Sequence, residues 1–275
     1  GGLALEETSP GTWTGQIRQF DVSGAMQAGL QKPATITVKP GSYAIDSLAA
    51  ALAGGHLRID SGRVEDGRII GRGNFGDIAL RRLLEGLERW KPGTVSPDLL
   101  KSIDAKAAGN FDITGTSVAD LSGVLGIRIE SAAMDSRSSA DLKLENGALQ
   151  GPLLLRVPSL AWTRSLLPDE WRIDGRLSFD GVVGGRVDAP RLSGDLKGEN
   201  LALVQRLLGW RLVDGRLAAH FDTDRLRLET LRFASAKGSL ALNGELTLPD
   251  VAAAKLPAGR LDLGAGRFQL DLDQL

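Results

Sequence analysis

Residues 169–203 read DEWRIDGRLSFDGVVGGRVDAPRLSGDLKGENLAL, and this stretch decides the fold. Its apolar residues Ile173, Leu177, Phe179 and Val183 are separated by even numbers of positions, with charged or small residues between them. Period two places successive side chains on opposite faces of a β-strand. Glycines recur every few positions, which lets a sheet bend sharply. The stretch therefore predicts antiparallel strands with one apolar and one wet face in a strongly curved sheet.

Period two continues along most of the chain. In SLALNGELTLP (239–249), leucines occupy one face, while the residues between them, such as Asn243 and Glu245, occupy the other. We predict a single continuous, repeat-like β segment over 1–275. The same alternation adds these candidates for the apolar face: Leu226, Leu228, Leu240, Leu242, Leu246, Leu248, Phe268, Leu270 and Leu272.

Asp-Gly and Asn-Gly pairs punctuate the strands. Such pairs favour tight hairpin turns, but some of these glycines sit inside good alternations, where a bulge or bend is expected instead. A weak repeat, WRIDGRL from Trp171 and WRLVDGRL from Trp210, indicates either an array of similar units or chance. The pairs lie at 66–67, 146–147, 174–175, 180–181, 214–215 and 243–244.

Four stretches space their apolar residues as a helix does. In DIALRRLLEGLERW, leucines and Trp90 recur at helical intervals, and ENLALVQRLLGW repeats the idea with Leu203, Val204, Leu207 and Leu208. We therefore expect a few short amphipathic helices, near 77–90, 97–103, 162–168 and 200–209.

Composition excludes several classes of protein. Lysine and arginine number 33 against 34 aspartate and glutamate, so the net charge of -1 gives no field to collect nucleic acid. Absence of cysteine excludes disulfides and thiolate chemistry. No apolar run reaches the roughly 20 residues that span a bilayer. The Gly1-Gly2 start and an end within an alternating pattern suggest an internal piece of a longer protein.

One glycine-rich motif and two histidines are candidates for a binding or catalytic site. GRGNFG, residues 71–76, matches the dinucleotide fingerprint, but it follows an antiparallel hairpin rather than a buried parallel strand. We therefore expect it to be a flexible strand-to-helix turn. His56 and His220 lack companions at metal-ligand spacing and are expected to be surface or satisfied strand residues.

No catalytic constellation stands out. The aspartates fall mainly in turns or on polar strand faces, and no serine sits in a nucleophile elbow. Few aromatics and no basic stripe argue against a platform for single-stranded nucleic acid. The sequence predicts a protein that is not an enzyme and has no cofactor and no metal site.

An apolar sheet face needs cover, because large exposed apolar patches are unusual in monomers. The sheet can close as a sandwich or barrel, helices can plug it, or it can curl into a trough that holds another apolar molecule. The face is mostly aliphatic, and each methylene of an acyl chain removed from water gains about 0.8 kcal/mol. Periodicity alone does not separate a lipid trough from an ordinary closed core.

Two stretches resemble a known family. The phrases DG-x-L-x-x-x-G, G-x-x-x-x-P-x-L-x-G and L-x-x-x-N-L-x-L between 169 and 203 resemble the strand phrases of the TamB/AsmA-like family of Gram-negative envelope proteins. So does the order of strand, Pro-containing strand, Gly-rich hairpin and short helix from Leu30 to Leu83. The resemblance covers most of the chain, best at 30–90 and 169–249.

The resemblance implies a function. It implies an elongated, strongly curved antiparallel β-sheet, a U-shaped or taco-like trough, lined by the apolar residues named above. Such proteins are anchored in the inner membrane, cross the periplasm, shield phospholipid acyl chains and contact an outer-membrane BamA-like partner of the TamA type. Two alternatives stay open: a scaffold for outer-membrane protein assembly by β-strand addition, and a carbohydrate-active β-solenoid enzyme.

Overall fold

The computed structural model is mostly β, as predicted, and consists of one 18-stranded antiparallel sheet that is not closed. The elongated, strongly curved sheet expected from the sequence is therefore confirmed. The structure describes residues 3–273 except 24–26, 91–99, 101–102, 132–137, 166, 188, 236–237 and 248–265.

The strands are short at the amino terminus and longer further along the chain. The first nine are β1 Leu3–Ser9, β2 Thr12–Ile17, β3 Asp21–Val22, β4 Ala28–Leu30, β5 Ala34–Lys39, β6 Ser42–Leu52, β7 Gly55–Glu65, β8 Arg68–Ala79 and β9 Ala105–Gly115. The others are β10 Ser122–Ser131, β11 Ser138–Glu145, β12 Ala148–Val157, β13 Trp171–Arg186, β14 Ala189–Gln205, β15 Trp210–Asp222, β16 Arg225–Ala234, β17 Ser239–Thr247 and β18 Gly266–Asp273.

The sheet is a meander of hairpins. From β5 to β18 every strand pairs with its neighbours in the chain. At the amino terminus β2 pairs with β5, and the small β3–β4 hairpin lies beside β5 along the edge of β6. Sixteen of the 18 strands thus lie side by side, which spans about 70 Å at ~4.8 Å per strand.

The six Asp-Gly and Asn-Gly pairs divide into three groups of two. At 66–67 and 146–147 both residues have positive φ, as a type I′ hairpin turn requires. Gly175, with φ of 123°, and Asp214, with φ of 52°, lie at register shifts inside β13 and β15, and are therefore bulges. The remaining two pairs, 180–181 and 243–244, lie inside strands.

The predicted helices are partly wrong. A helix, α1, does form, but it begins at Leu80 rather than 77 and ends at Trp90. The helix expected at 200–209 is wrong, because β14 runs to Gln205 and a turn follows. Near 162–168 there is a 3-10 turn, Ala161–Ser165. A second such turn, Val118–Asp120, was not predicted, and the helix near 97–103 lies almost wholly outside the described residues.

The GRGNFG motif is also not the turn that we expected. All of residues 71–76 lie inside β8, which pairs with β7 and β9, and the change from strand to helix comes at Leu80. A Cβ on Gly76 would stand within 2.7 Å of the His56 ring Nε2. A larger residue at this position would require the His56 ring to move, and the motif has no phosphate-binding context.

Candidate functional site

Cross-strand pairing assembles one continuous face. Directly paired residues of neighbouring strands lie on the same side of a sheet. Phe179 pairs with Leu155 and Leu196, Leu196 pairs with Ala219, and Ala219 pairs with Leu228. Following such pairs across the sheet defines what we call the apolar face, which also includes Ile45, Ile59, Phe75, Phe111, Leu125, Leu142, Leu153 and Leu217.

Most of the residues predicted to line the apolar face do lie on it. Phe268, Leu270 and Leu272 belong to β18, where they pair with Gly244, Leu242 and Leu240. Leu248 lies outside the described residues. The other nine share the apolar face: Ile173, Leu177, Phe179, Val183, Leu226, Leu228, Leu240, Leu242 and Leu246.

The apolar face is not the interior of a closed domain. Of the nine placed candidates only Phe179 and Leu246 are buried, each about 5% exposed, and the other seven are half-buried. A leucine in a closed two-layer core is normally buried and touches several residues of the opposite layer. Among the described residues no second sheet covers this face. The sheet is therefore an open trough and not a closed core.

The two lips of the sheet differ. We call the first lip the strand ends joined by the short turns at 10–11, 40–41, 66–67, 146–147 and 223–224. The second lip is formed by the opposite strand ends. Its connections include α1, the Ala161–Ser165 turn and the turn at 206–209.

The connecting segments cover the apolar face along the second lip. Ala53, Ile78 and Leu160 are buried there, beside α1 and the 161–165 turn. Along the first lip of β5–β8, in contrast, the side chains of Tyr43 and Ile69 on the apolar face are 55% and 53% exposed. Buried leucines occur on the first lip only in the later strands, at 144 and 246, within the described part of the chain. The apolar face is therefore open along the first lip of its amino-terminal half.

A depression of about 280 Å³ lies on the apolar face in this half. Residues of five successive strands line it, among them Ile36, Ile45, Ile59, Ile69 and Phe111. Side chains from strands so far apart can share one hollow only if the sheet curves towards the face that they share. The curvature is therefore concave on the apolar side at this place.

Glycines on the apolar face make room for phenylalanine rings. A Cβ on Gly73 would stand 2.9 Å from Cζ of Phe111, and a Cβ on Gly109 would stand 2.7 Å from Cζ of Phe75. The same relation holds for Gly181 with Phe179 and for Gly215 with Phe233. Rings that lie over glycines cover the backbone, which is a known way to stabilise glycine in sheets. Of these four glycines, the sequence pattern predicted a bulge or bend at Gly181, and it gave no sign of the ring contacts.

The opposite face is charged and wet. Ion pairs join neighbouring strands there, including Arg72 with Asp112 at 2.6 Å and Arg156 with Asp180 at 2.5 Å. His220 Nδ1 lies 2.7 Å from Asp195 Oδ1, and the ring belongs to this face. The histidine is thus a partnered strand residue exposed to solvent.

Among the described residues, one carboxylate has a strongly shifted pKa, and it caps a loop. The backbone N–H and hydroxyl of Thr116, and then those of Ser117, donate to Asp120 and hold the pKa of that carboxyl far below its ordinary value. These bonds close the loop between β9 and β10 as a capping box. Among the described residues, no group of three or more His, Asp or Glu is arranged to hold a metal ion.

Comparisons with known proteins give no match: no family model fits the chain, no curated protein matches its sequence, and no solved structure matches its fold. In the described part of the chain, no helix has the length and apolar character needed to cross a membrane. The fold and the face together define a class, an open antiparallel meander with one apolar side.

Proposed function

We propose that the apolar face is a conduit that shields the acyl chains of phospholipids. The observation that carries the proposal is the continuity of this half-buried face across neighbouring strands of a sheet that is not closed. Monomers rarely expose contiguous apolar patches of more than a few hundred Å², so a half-buried apolar face that continues from strand to strand calls for an apolar occupant.

The chemistry of the lining suits an aliphatic occupant. Leucine, isoleucine and valine supply most of the face, and the rings of Phe111 and Phe179 lie over glycines. An acyl chain of about 16 carbons gains on the order of 10 kcal/mol on leaving water, without a specific polar contact. A lining that lacks fixed polar partners lets such a chain slide as well as bind.

The first lip is where headgroups would lie. Trp13 in β2 and Tyr43 in β6 lie on the apolar face, in the two strands that pair with β5. Both residues are exposed, and charged residues such as Lys39 lie beside them. Tryptophan and tyrosine prefer boundaries between apolar and wet surroundings, because one end of each ring is polar. Tails in the hollow and headgroups at this lip give every lipid the same orientation.

The wider setting follows from the family resemblance and is part of the proposal. The chain would be a periplasmic segment of an inner-membrane-anchored protein that bridges the two membranes of a Gram-negative envelope. Its full-length form would contact an outer-membrane partner of the BamA-like TamA type.

A scaffold for outer-membrane protein assembly is the second candidate. Strand addition needs free backbone groups at a sheet edge. Among the described residues β1 pairs only with β2 and β18 pairs only with β17, so each end of the described sheet offers one such edge. The scaffold would capture strands at these edges, whereas the conduit would capture lipid on the apolar face.

Two neighbouring leucines provide the test. Leu153 lies on the apolar face, and Leu154 lies on the charged face of the same strand. A photoreactive benzoylphenylalanine at 153 should crosslink phospholipid in cells, and the same group at 154 should not. Equal labelling at both positions would refute the conduit. Crosslinks from β1 to outer-membrane proteins, with no lipid at 153, would establish the scaffold instead.

A further inference from the structure

The hairpin between β14 and β15 ends in an exposed apolar tip. The tip is the sequence RLLGWR, residues 206–211, on the second lip. Leu207 is 80% exposed, Leu208 is 61% exposed and Trp210 is 54% exposed. Three large apolar side chains in one short turn form a patch that water solvates poorly.

The base of the tip is firmly held. Gln205 is buried, and its Oε1 accepts a hydrogen bond of 2.6 Å from the backbone N–H of Leu208. The backbone N–H of Arg206 donates to the carbonyl oxygen of Glu170 at 2.9 Å, and Gly209 takes the positive φ of 70° that closes the turn. The leucines are therefore held outward by a built support.

Cations flank the apolar residues. Arg206 and Arg211 are exposed on either side of the leucines and Trp210, and within the described part of the chain their guanidinium groups form no ion pair. This arrangement matches the polarity profile of a bilayer surface. Leucine suits the acyl chains, tryptophan suits the interface, and arginine suits the phosphates.

We propose that this tip inserts into the headgroup region of a bilayer that contains anionic phospholipid. Leu207 and Leu208 enter the boundary with the acyl chains, Trp210 lies at the level of the headgroups, and the two arginines bind phosphates. The inference goes beyond a conduit, since it describes attachment to a membrane surface and does not depend on what the apolar face holds. Attachment through the second lip leaves the open first lip free.

Sedimentation with sucrose-loaded vesicles tests the proposal on the whole chain. One set of vesicles is phosphatidylcholine alone, and the other contains about 30% phosphatidylglycerol. The chain should bind the anionic vesicles more strongly, and brominated lipid should quench a fluorescence component that is missing in Trp210→Phe. Leu207→Ser with Leu208→Ser should weaken binding to both vesicles by on the order of 10-fold. Arg206→Gln with Arg211→Gln should reduce only the preference for anionic vesicles, by about 30-fold.

Val182→Ser is the matched control, because Val182 is 52% exposed but lies on the charged face away from the tip. It should bind vesicles as the parent does. Equal binding by the parent and both double variants would overturn the proposal. So would a self-association of the parent that the leucine variants abolish without a change in vesicle binding, since the tip would then join two copies. Lipid crosslinking at Leu153 should persist in the tip variants, so failure here and failure of the conduit are distinguishable.

Discussion

Replacing Leu153 by arginine places a cation in the middle of the apolar face. Leu153 lies near the centre of β12 and is half-buried, and its paired neighbours are the small residues Ala140 and Gly181. The Phe179 ring lies over Gly181, so the longer side chain has to extend on the side of Ala140 or towards solvent. Its guanidinium must then either lose water beside a passing acyl chain or block the chain's path.

The magnitude follows from that desolvation. An arginine at the centre of a hydrocarbon layer costs about 2.5–3.5 kcal/mol on insertion scales. The lower value suits an apolar face that is open to water on one side, and ~2.5 kcal/mol corresponds to about 70-fold weaker binding of an acyl chain. Bending of the side chain towards a lip reduces the effect.

Binding of a phospholipid with a fluorescent acyl chain gives the measurement, with circular dichroism to confirm folding. The control is Leu154→Arg, one residue away on the charged face, where the new cation lies across from Asp180. That variant should bind lipid as the parent does. If Leu153→Arg and Leu154→Arg bind equally well, the apolar face does not hold the acyl chain and the reasoning is refuted.

Two further predictions concern stability, each measured as a shift in urea unfolding. Gly181→Ala should destabilise the fold by about 1–3 kcal/mol, because its Cβ would collide with the carbonyl oxygen of Ser193. Gly184→Ala, whose Cβ would have its nearest neighbour at 3.9 Å, should change stability by less than about 0.5 kcal/mol, and an equal loss would refute the packing argument. Asp120→Asn should destabilise at neutral pH, since the folded pKa of Asp120 lies below its ordinary value of 3.8 and the carboxylate form is favoured by folding. Its deficit should shrink as the pH falls below about 4, and a deficit that is constant down to strongly acidic pH would contradict the role of the charge.

The apolar face was predictable because its signal is local. Side chains alternate between the two faces of a strand, so a period of two in the sequence shows which residues share a face. Residues such as Leu177, Leu228 and Leu242 could therefore be assigned to the apolar face without knowledge of which strands are neighbours. Whether that face closes on itself was not predictable, since a closed core and an open trough use the same alternation.

Asp-Gly pairs show where local signals fail. The pair at 66–67 makes a turn and the pair at 214–215 makes a bulge, although the two residues are the same. The difference arises because the segments on both sides of 214–215 continue to pair with the same two strands. Pairing partners far along the chain therefore decide the outcome.

The stretch from 200 to 209 was misassigned for a related reason. Leu203, Leu207 and Leu208 fit a helix, but Leu201 and Leu203 equally fit a strand. Pairing of β14 with both β13 and β15 favours the strand and leaves Leu207 and Leu208 in the turn. A signal was present in Gly209, which follows the two leucines and suits a positive φ.

Because the sheet is a meander of hairpins, the chain can fold stepwise, and its length can differ by whole hairpins. Almost every strand binds only segments adjacent in the sequence, so folding can proceed from one end to the other without closing a long loop. Each hairpin adds about 10 Å along the sheet and continues both faces without altering the rest. The length of such a sheet is thus proportional to its number of hairpins. Duplication of a hairpin can increase that length in equal steps, since the hairpins do not share one central core.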